Sequence, residues 1–574
     1  MSRTGAQHLV DALRAEKVDM LFGFPGGVVI PVFDALHDEP NIRLVLTRHE
    51  QGAVHAADGY ARSTGRVGVC LVTSGPGATN TVTGLATANF DSVPLVVLTG
   101  QVTRNMIGND AFQEADIVGI SRSVTKHNYL VTDRADLGRI IREAFYIARS
   151  GRPGPVLVDM PKDVLVEESD LPLPESVSIR GYNPVTRGHA LQIRKAAQAL
   201  AAAKKPLFYL GGGLHIADAG EVFRRVEQVV DAPVVSSLLG IGVMPSTHRR
   251  FLGMVGMHGT YPANTAVQNC DLLFAIGTRF DDRATGDISK FAPHASVVHV
   301  DIDPASISRN VPVEIPIVGD ARVVLEDILP LLRRPEIGDW VAETEEWTRT
   351  HPLIDIGGNG RLSPTRVIRS LAEAFPDAIV ATEVGQHQMW TALYYTFDRP
   401  RSFLTSGGLG TMGYGFPAAI GAALGNPGRR VIDIAGDGSI QMNIQELATA
   451  VNERLPLVVA IMNNGYLGMV RQWQELFYRR RYYGVCLERN VDCPPDCAEP
   501  HDHCPPYAPD FVKLAQAYGA VGIRVEKAEE IAAALEEAKK TAHRPVFLDF
   551  RIEREANVWP MVPAGAGIHE MMNA

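Results

Sequence analysis

Arg430-Val431-Ile432-Asp433-Ile434-Ala435-Gly436-Asp437-Gly438-Ser439 is the stretch on which the reading of this chain turns. A strand-length apolar run ends on small residues and an acid. A second run, Pro456 to Met462, ends on Asn463-Asn464, and the 27 positions from Asp437 to Asn464 fit one strand-helix-strand passage. A carboxylate and an amide at the tips of adjacent strands can hold a hard divalent cation, which can in turn hold a diphosphate. Gly438-Ser439, opening the next helix, adds backbone N–H groups for the anion. Each half has a plainer reading, Asp437 as an N-cap and Asn463-Asn464 as a turn. Their joint spacing favours the ion site.

Outward from this stretch the same rhythm repeats. Ala378 to Ala381, Ser402 to Leu404, Arg430 to Ile434, Pro456 to Met462 and Pro545 to Arg551 read as strands with helices between them. The N-terminal part has the same plan, with strands at Ile42 to Thr47, Val67 to Thr73 and Pro94 to Thr99 and a last strand near Pro155 to Asp159. Continuous Val/Leu runs alternating with helices indicate parallel sheets covered on both faces. A middle unit has strands at Pro206 to Leu210, Asp271 to Ile276 and Ser296 to Asp301. Glu/Ser/Pro-rich text from Val164 to Gly188, and a Glu/Thr/Trp-rich stretch from about Arg334 to Leu362, read as connectors. The expected class is α/β, three doubly wound parallel-sheet domains over 1–165, 188–335 and 363–555, followed by a tail, 556–574.

The composition sets outer limits. A chain of 574 residues with 46% hydrophobic content can bury several cores, and a net charge of -10 argues against nucleic-acid or anionic-membrane partners. Arg479-Arg480-Arg481 reads as a solvated helix end. Asp11, Glu16 and Asp19 spoil a signal-peptide core, and no apolar stretch approaches membrane-spanning length, so a soluble cytoplasmic protein is expected.

Gly436-Asp437-Gly438, so spaced from Asn463-Asn464, resembles the signature of thiamine-diphosphate enzymes, and the surrounding text resembles the catalytic subunits of the acetolactate (acetohydroxyacid) synthase family. The resemblance covers nearly the whole chain. It is most specific at Gly23-Phe24-Pro25-Gly26-Gly27, Arg48-His49-Glu50-Gln51-Gly52, Thr73-Ser74-Gly75-Pro76-Gly77, Ala111-Phe112-Gln113-Glu114, Gly385-Gln386-His387-Gln388, Gly407 to Gly413 and Gly468 to Trp473.

The resemblance implies domains of the thiamine-diphosphate type: pyrimidine-binding, FAD-binding, and diphosphate/metal-binding in chain order. Thiamine diphosphate must lose its thiazolium C2 proton, a step its own aminopyrimidine performs when a carboxylic acid protonates the far ring nitrogen. Glu50 is the implied acid. Met412 is the implied apolar support between the two rings. Gly385, Gln386, His387, Gly410, Gly436, Gly438, Ser439 and Met469 are implied at the cofactor, and Asp437, Asn464 and the Tyr466 carbonyl at Mg2+. In the family the glutamate and the diphosphate site come from different subunits, which implies a homodimer or homotetramer. A small regulatory subunit is a further partner the family leaves open.

The segments Gly211-Gly212-Gly213, Gly256-Met257-His258, Gly277-Thr278-Arg279 with Asp281 and Arg283, Asp301-Ile302 and Asp320-Ala321 resemble the family's FAD-binding segments. Glycines at strand ends admit a pyrophosphate, and Arg279 and Arg283 could neutralise it. Flavin-free acetolactate synthases exist in the wider family; the Gly277 to Arg283 stretch speaks against that alternative. Gly408, Gly410 and Gly413 also satisfy a dinucleotide pattern, rejected because no ribose-binding acid accompanies it.

Selection of the second substrate would fall to Trp473, with Met469, Phe112 and Gln113 beside it, and Arg279 is a candidate for the substrate carboxylate. The implied reaction is decarboxylation of pyruvate and transfer of the two-carbon unit to pyruvate or 2-oxobutyrate, a step of branched-chain amino-acid biosynthesis. A flavin-linked 2-oxoacid oxidase is the enzyme alternative. A catalytically silent flavin or metal-sensing protein would lack Glu50.

One segment departs from the family. Before Pro509 to Ala515 the chain inserts residues that include Cys486, Cys493, Cys497, His501, His503 and Cys504. Four sulfurs and two imidazoles suffice for a zinc site or an iron-sulfur cluster, yet the spacing matches no standard ligand pattern. A reduced or disulfide-forming loop stays open beside them.

Overall fold

Three six-stranded sheets, parallel throughout, organise the chain. The computed structural model describes residues 2–573 except 358–359, 494–503 and 505–506. The first sheet consists of β1 (Met20–Phe24), β2 (Arg43–Leu46), β3 (Gly68–Val72), β4 (Leu95–Gln101), β5 (His127–Leu130) and β6 (Pro155–Pro161), in the order β2-β1-β3-β4-β6-β5. The middle sheet consists of β7 (Pro206–Leu210), β8 (Val234–Ser236), β9 (Phe251–Met254), β10 (Leu272–Ile276), β11 (Ser296–Asp301) and β12 (Ile315–Val318). Its order, β9-β8-β7-β10-β11-β12, is that of dinucleotide-binding folds.

The third consists of β13 (Ile379–Thr382), β14 (Phe403–Leu404), β15 (Val431–Gly436), β16 (Val458–Asn463), β17 (Val521–Val525) and β18 (Val546–Arg551), ordered β14-β13-β15-β16-β18-β17. Its connectivity repeats that of the first sheet strand for strand, so the likeness of the two rhythms in the sequence reflects one topology used twice. Every residue of β3, β4, β15 and β16 is buried, which is why these strands read as continuous apolar runs.

The strands the sequence pattern misses are β1, β5, β8, β9, β12 and β17. Most lie at or next to a sheet edge, where burial is partial, as in β5 and β17, or the strand is as short as the three residues of β8. The stretch around 334–362 also differs from its reading as a plain connector. Gly338–Thr350 is a helix whose Trp340 is buried in the middle core and donates from Nε1 to the Pro206 carbonyl at 3.0 Å. Trp340, Thr344 and Trp347 share one face at i, i+4 and i+7, a periodicity hidden by the polar composition.

Two further joins position the site. Helix Glu50–Thr64 of the first unit lies directly against helix Gly415–Gly425 of the third. Gly59 and Gly421 permit that approach, since a Cβ on either would collide with the Ala418 or the Ala56 carbonyl. The tail runs from the third core, which takes Ala556 and Val558, to the middle core, which takes Ile568. On the way Val562 N–H donates to the Met257 carbonyl at 2.8 Å. Among the described residues no helix is long and apolar enough to cross a membrane.

Candidate active site

Asp437 and Asn464 follow the ends of β15 and β16, which are paired side by side to Gly436 and Met462. Both side chains are buried, at 1% and 5% exposure. Asp437 Oδ2 accepts from Gly465 N–H at 3.1 Å, and Asn464 Oδ1 accepts from Tyr466 N–H at 3.0 Å. Burial pushes the Asp437 carboxyl up to about 7, opposed by hydrogen bonds from Tyr507 and Gly465. A cation bound there would hold it ionised. Ser439 Oγ bonds back to Gly436, closing the turn over which Gly438 lies.

His387 stands against the same strand tip: a Cβ on Gly436 would lie 2.8 Å from its ring. The ring is buried and Nε2 has no partner. Desolvation lowers its pKa to about 3, so it is neutral. In the neutral ring the unpartnered Nε2 is an acceptor only; a diphosphate bound beside it would favour the protonated ring, whose Nε2–H then donates to it, and the Asp437 and Asn464 pair suits a diphosphate held through a magnesium-type ion. Gln386, by contrast, commits its Nε2 to Gln472 Oε1 and the Ala556 carbonyl, each at 2.9 Å, and faces Asn464 Nδ2 with its oxygen at 3.5 Å. These side-chain bonds tie Asn464 to the Trp473 helix and the tail.

Met412 sits in a turn gripped from several sides. Asp91 accepts from Gly407 N–H at 3.1 Å and Gly408 N–H at 2.8 Å; Thr87 and Thr411 share a hydroxyl hydrogen bond of 2.7 Å; Tyr414 OH donates to Asp58 at 2.7 Å. Arg62 lies between the two acids, 2.6 Å from Asp58 and 3.0 Å from Asp91, with both carboxylates fully buried. Gly410 takes φ +73° within this turn. Sequence reasoning missed Asp58, Arg62 and Asp91. The available signal was an acid and a guanidinium four residues apart on a helix otherwise built of small residues.

Glu50 opens helix Glu50–Thr64, capped by His49, whose Nδ1 accepts from Gln51 N–H. The Glu50 carboxylate is half-buried and accepts from Asn80 Nδ2 at 3.0 Å. Gln113 is held at φ +58° against Gly75, while Phe112 projects with 87% of its surface exposed. Among the described residues no hydrogen bond links Glu50, Phe112 or Gln113 to Asp437, Asn464 or Met412. The chain thus carries two groups of candidate residues and does not join them by such bonds.

In the middle unit Gly211 and Gly213 at the end of β7 press on Gly277 after β10, leaving backbone at the strand tips with no room for side chains. Gly212 immediately precedes the short helix Gly213–Ile216, Thr278 and Ala321 are buried, and Ile302 is half-buried after β11. Asp281 and Asp320 cap the helices that follow them. Burial raises Asp301 to about 6, and its carboxylate accepts from Asp303 N–H. Gly256 takes φ +117° against the Arg283 carbonyl. His258 is spent on the tail, bonding the Pro560 carbonyl through Nδ1 at 3.1 Å.

Trp473 and Met469 lie on helix Gly468–Phe477. The guanidinium over the Trp473 ring, 5.8 Å from its centroid, belongs to Arg283, which also reaches Met257 Sδ at 3.7 Å. Arg279 lies instead beside Gly408, close to the Met412 turn, with its pKa lowered by desolvation and by Arg152. Tyr466 pairs by a backbone bridge with Cys486, which ties the start of the cysteine segment to the strand tip. Cys497, His501 and His503 lie outside the described residues; among the described ones, Cys486, Cys493 and Cys504 included, no group of three or more His, Cys, Asp or Glu could hold a metal ion.

Family models match all three units: the N-terminal thiamine pyrophosphate (TPP) binding domain of thiamine pyrophosphate enzymes over residues 3–120, their central domain over 193–328 and their C-terminal TPP binding domain over 383–550. The chain is 49% identical over 580 residues to the acetolactate synthase isozyme 3 large subunit of Escherichia coli, covering 99% of this chain and 98% of that protein. It is 47% identical over 578 residues to the acetolactate synthase large subunit of Haemophilus influenzae, with 99% and 98% covered. To that of Corynebacterium glutamicum it is 49% identical over 578 residues, with 100% and 90% covered. With the strand-tip pair, the doubled sheet topology and this full-length identity, the chain belongs to the thiamine pyrophosphate enzymes and, within them, to the acetolactate synthase large subunits.

Proposed function

We propose that this protein converts two molecules of pyruvate to 2-acetolactate and CO2, and pyruvate with 2-oxobutyrate to 2-aceto-2-hydroxybutyrate. The observation that carries the reading is the joining of the buried Asp437/Asn464 pair, through Gln386 and Gln472, to the helix that bears Trp473 under Arg283. A cofactor seat and an aromatic, cationic acceptor pocket are thereby fixed to each other.

Asp437, Asn464 and the Tyr466 carbonyl would hold Mg2+, and His387, Gly385, Gly436, Gly438 and Ser439 the diphosphate. Bound thiamine diphosphate supplies the nucleophilic carbon and the electron sink for decarboxylation. Glu50 would relay a proton at the pyrimidine, and Met412 would give the cofactor apolar support between its rings. The guanidinium of Arg283 over the Trp473 ring supports Arg283, beside the expected Arg279, as a partner for the carboxylate of the second 2-oxoacid. The collapsed glycine backbone at the ends of β7 and β10, with Arg279 and Arg283 beyond it, suits FAD held as a structural group.

The exposed Phe112 and the half-exposed Glu50 favour a site completed by a second copy, in a homodimer or homotetramer. The relatives' designation as large subunits favours a smaller regulatory partner.

Supplying pyruvate, thiamine diphosphate, Mg2+ and FAD tests the activity. Acetolactate should accumulate at one per two pyruvates without matching oxygen uptake. Acetate formed with stoichiometric oxygen consumption would overturn the reading in favour of an oxidase.

Trp473→Leu gives a finer test, since an indole that prefers the extra methyl of 2-oxobutyrate contributes about 1–3 kcal/mol. With both acceptors in competition, the share of 2-aceto-2-hydroxybutyrate relative to acetolactate should fall roughly 10- to 100-fold. An unchanged product ratio would remove Trp473 from selection.

A further inference from the structure

The turn that presents Met412 is also held from below, by an acid with no part in the site described so far. Glu383 follows β13 and is fully buried. One carboxylate oxygen accepts from Gly413 N–H at 2.6 Å and the other from Phe416 N–H at 3.0 Å. The two bonds bracket the backbone immediately after Met412, where Gly413 takes φ +84°. The Glu383 main chain also lies beside the ring of His387, whose Nε2 is unpartnered at the strand tip. One residue therefore meets both the Met412 turn and His387.

Its neighbour across the sheet is Asp433 on β15, in register with Ala381. Asp433 is fully buried, and neither of its carboxyl oxygens has a hydrogen-bond partner. Among the described residues neither acid has an ion-pair partner; the titratable groups facing Glu383 are Asp433 and His387. Two carboxyls placed so cannot both be ionised. The backbone donors all converge on Glu383, so the charge belongs there and Asp433 keeps its proton. An ordinary helix cap comes from the residue just before the helix; Glu383 comes from a different strand, 30 residues before Gly413.

We propose that Glu383 is a positioning residue for the reaction, its carboxylate fixing the turn that presents Met412 and its main chain fixing His387. The proposal rests on the thiamine diphosphate reading, and measurements on cofactor-free protein separate the two.

Glu383→Gln retains the volume but offers one acceptor oxygen where two are needed. In the cofactor-free protein, amide hydrogen exchange in 408–416 should quicken about tenfold, the loss of one buried hydrogen bond, while the strands of the third sheet keep their protection. In the loaded protein, exchange of the cofactor's C2 proton and kcat should fall together, about 10²-fold, with KM for pyruvate little changed, since a misplaced support slows the step without removing the substrate pocket.

Asp433→Asn, a neutral isostere, should leave all of these readouts close to those of the parent. A folded Glu383→Gln protein with unchanged exchange at 408–416 and at C2 would overturn the proposal. So would an Asp433→Asn protein whose kcat falls as far as expected for Glu383→Gln, and that result decides the matter even where Glu383→Gln does not fold. Local loosening at 408–416 in a protein that makes no acetolactate would leave the clasp standing and sink the functional reading instead.

Discussion

Glu50→Gln is expected to lower kcat by about 10²–10⁴-fold, the range lost with a positioned general acid. The substitution is chemically narrow. Glutamine keeps an oxygen to accept from Asn80 Nδ2, now 3.0 Å from the carboxylate, and it retains the place at the head of helix Glu50–Thr64. What it loses is the exchangeable carboxyl proton. Binding of thiamine diphosphate, followed by quenching of protein fluorescence, should change far less than turnover, and unfolding by urea should be close to that of the parent. A kcat within a few-fold of the parent would sink the assignment of Glu50 as the activating acid. Coincident loss of binding and turnover would point to a structural part for it.

Arg62→Leu should be the most destabilising single change, costing about 3–5 kcal/mol, the penalty for leaving buried charges without their partner. Asp58 and Asp91 are fully buried and both lean on this guanidinium, which also donates to the Thr405 carbonyl at 2.9 Å and lies 5.2 Å from the centre of the Tyr414 ring. Burial already pushes Asp58 upward, and Arg62 is what opposes it.

Without the cation Asp58 can keep its place only by taking up a proton. Its folded pKa then stands above the unfolded carboxylate range, so the folded state of the variant is favoured below that range and loses ground as pH rises through the folded value. The stability deficit measured by urea unfolding should therefore be larger near pH 8 than near pH 5. A deficit independent of pH, or one below 1 kcal/mol in size, would contradict a charge-centred role for Arg62; about 1 kcal/mol is the ceiling for an exposed ion pair. Because Asp91 also holds Gly407 and Gly408, the same variant should loosen the turn that carries Met412.

The class of fold and the position of the cofactor seat are legible in the sequence because both are local. β3, β4, β15 and β16 are buried along their whole length, and such strands must be apolar throughout. Asp437 and Asn464 are legible because a strand tip is fixed by the strand before it. Arg279 and Arg283 show where this kind of reading stops. They stand four positions apart in one motif, and either guanidinium could meet a carboxylate, but only the packing of the middle unit against helix Gly468–Phe477 sets Arg283 over Trp473. The Gly338–Thr350 helix was hidden for a related reason: its two tryptophans find their pocket on a sheet far away in sequence.

The sequence by itself determined three parallel-sheet units, the strand-tip pair Asp437/Asn464, and the family these imply, since strand burial and glycine-rich turns leave their mark on neighbouring residues. Only the tertiary structure decided what holds the site in shape. Asp58, Arg62 and Asp91 from the first unit, Glu383 from the third, and the tail through Ala556 and Val558 act across separations no sequence period records. The physical reason is the cost of burying charge: an acid or guanidinium in a core is tolerated only where distant segments deliver its partners, and those partners become known only once the chain has folded.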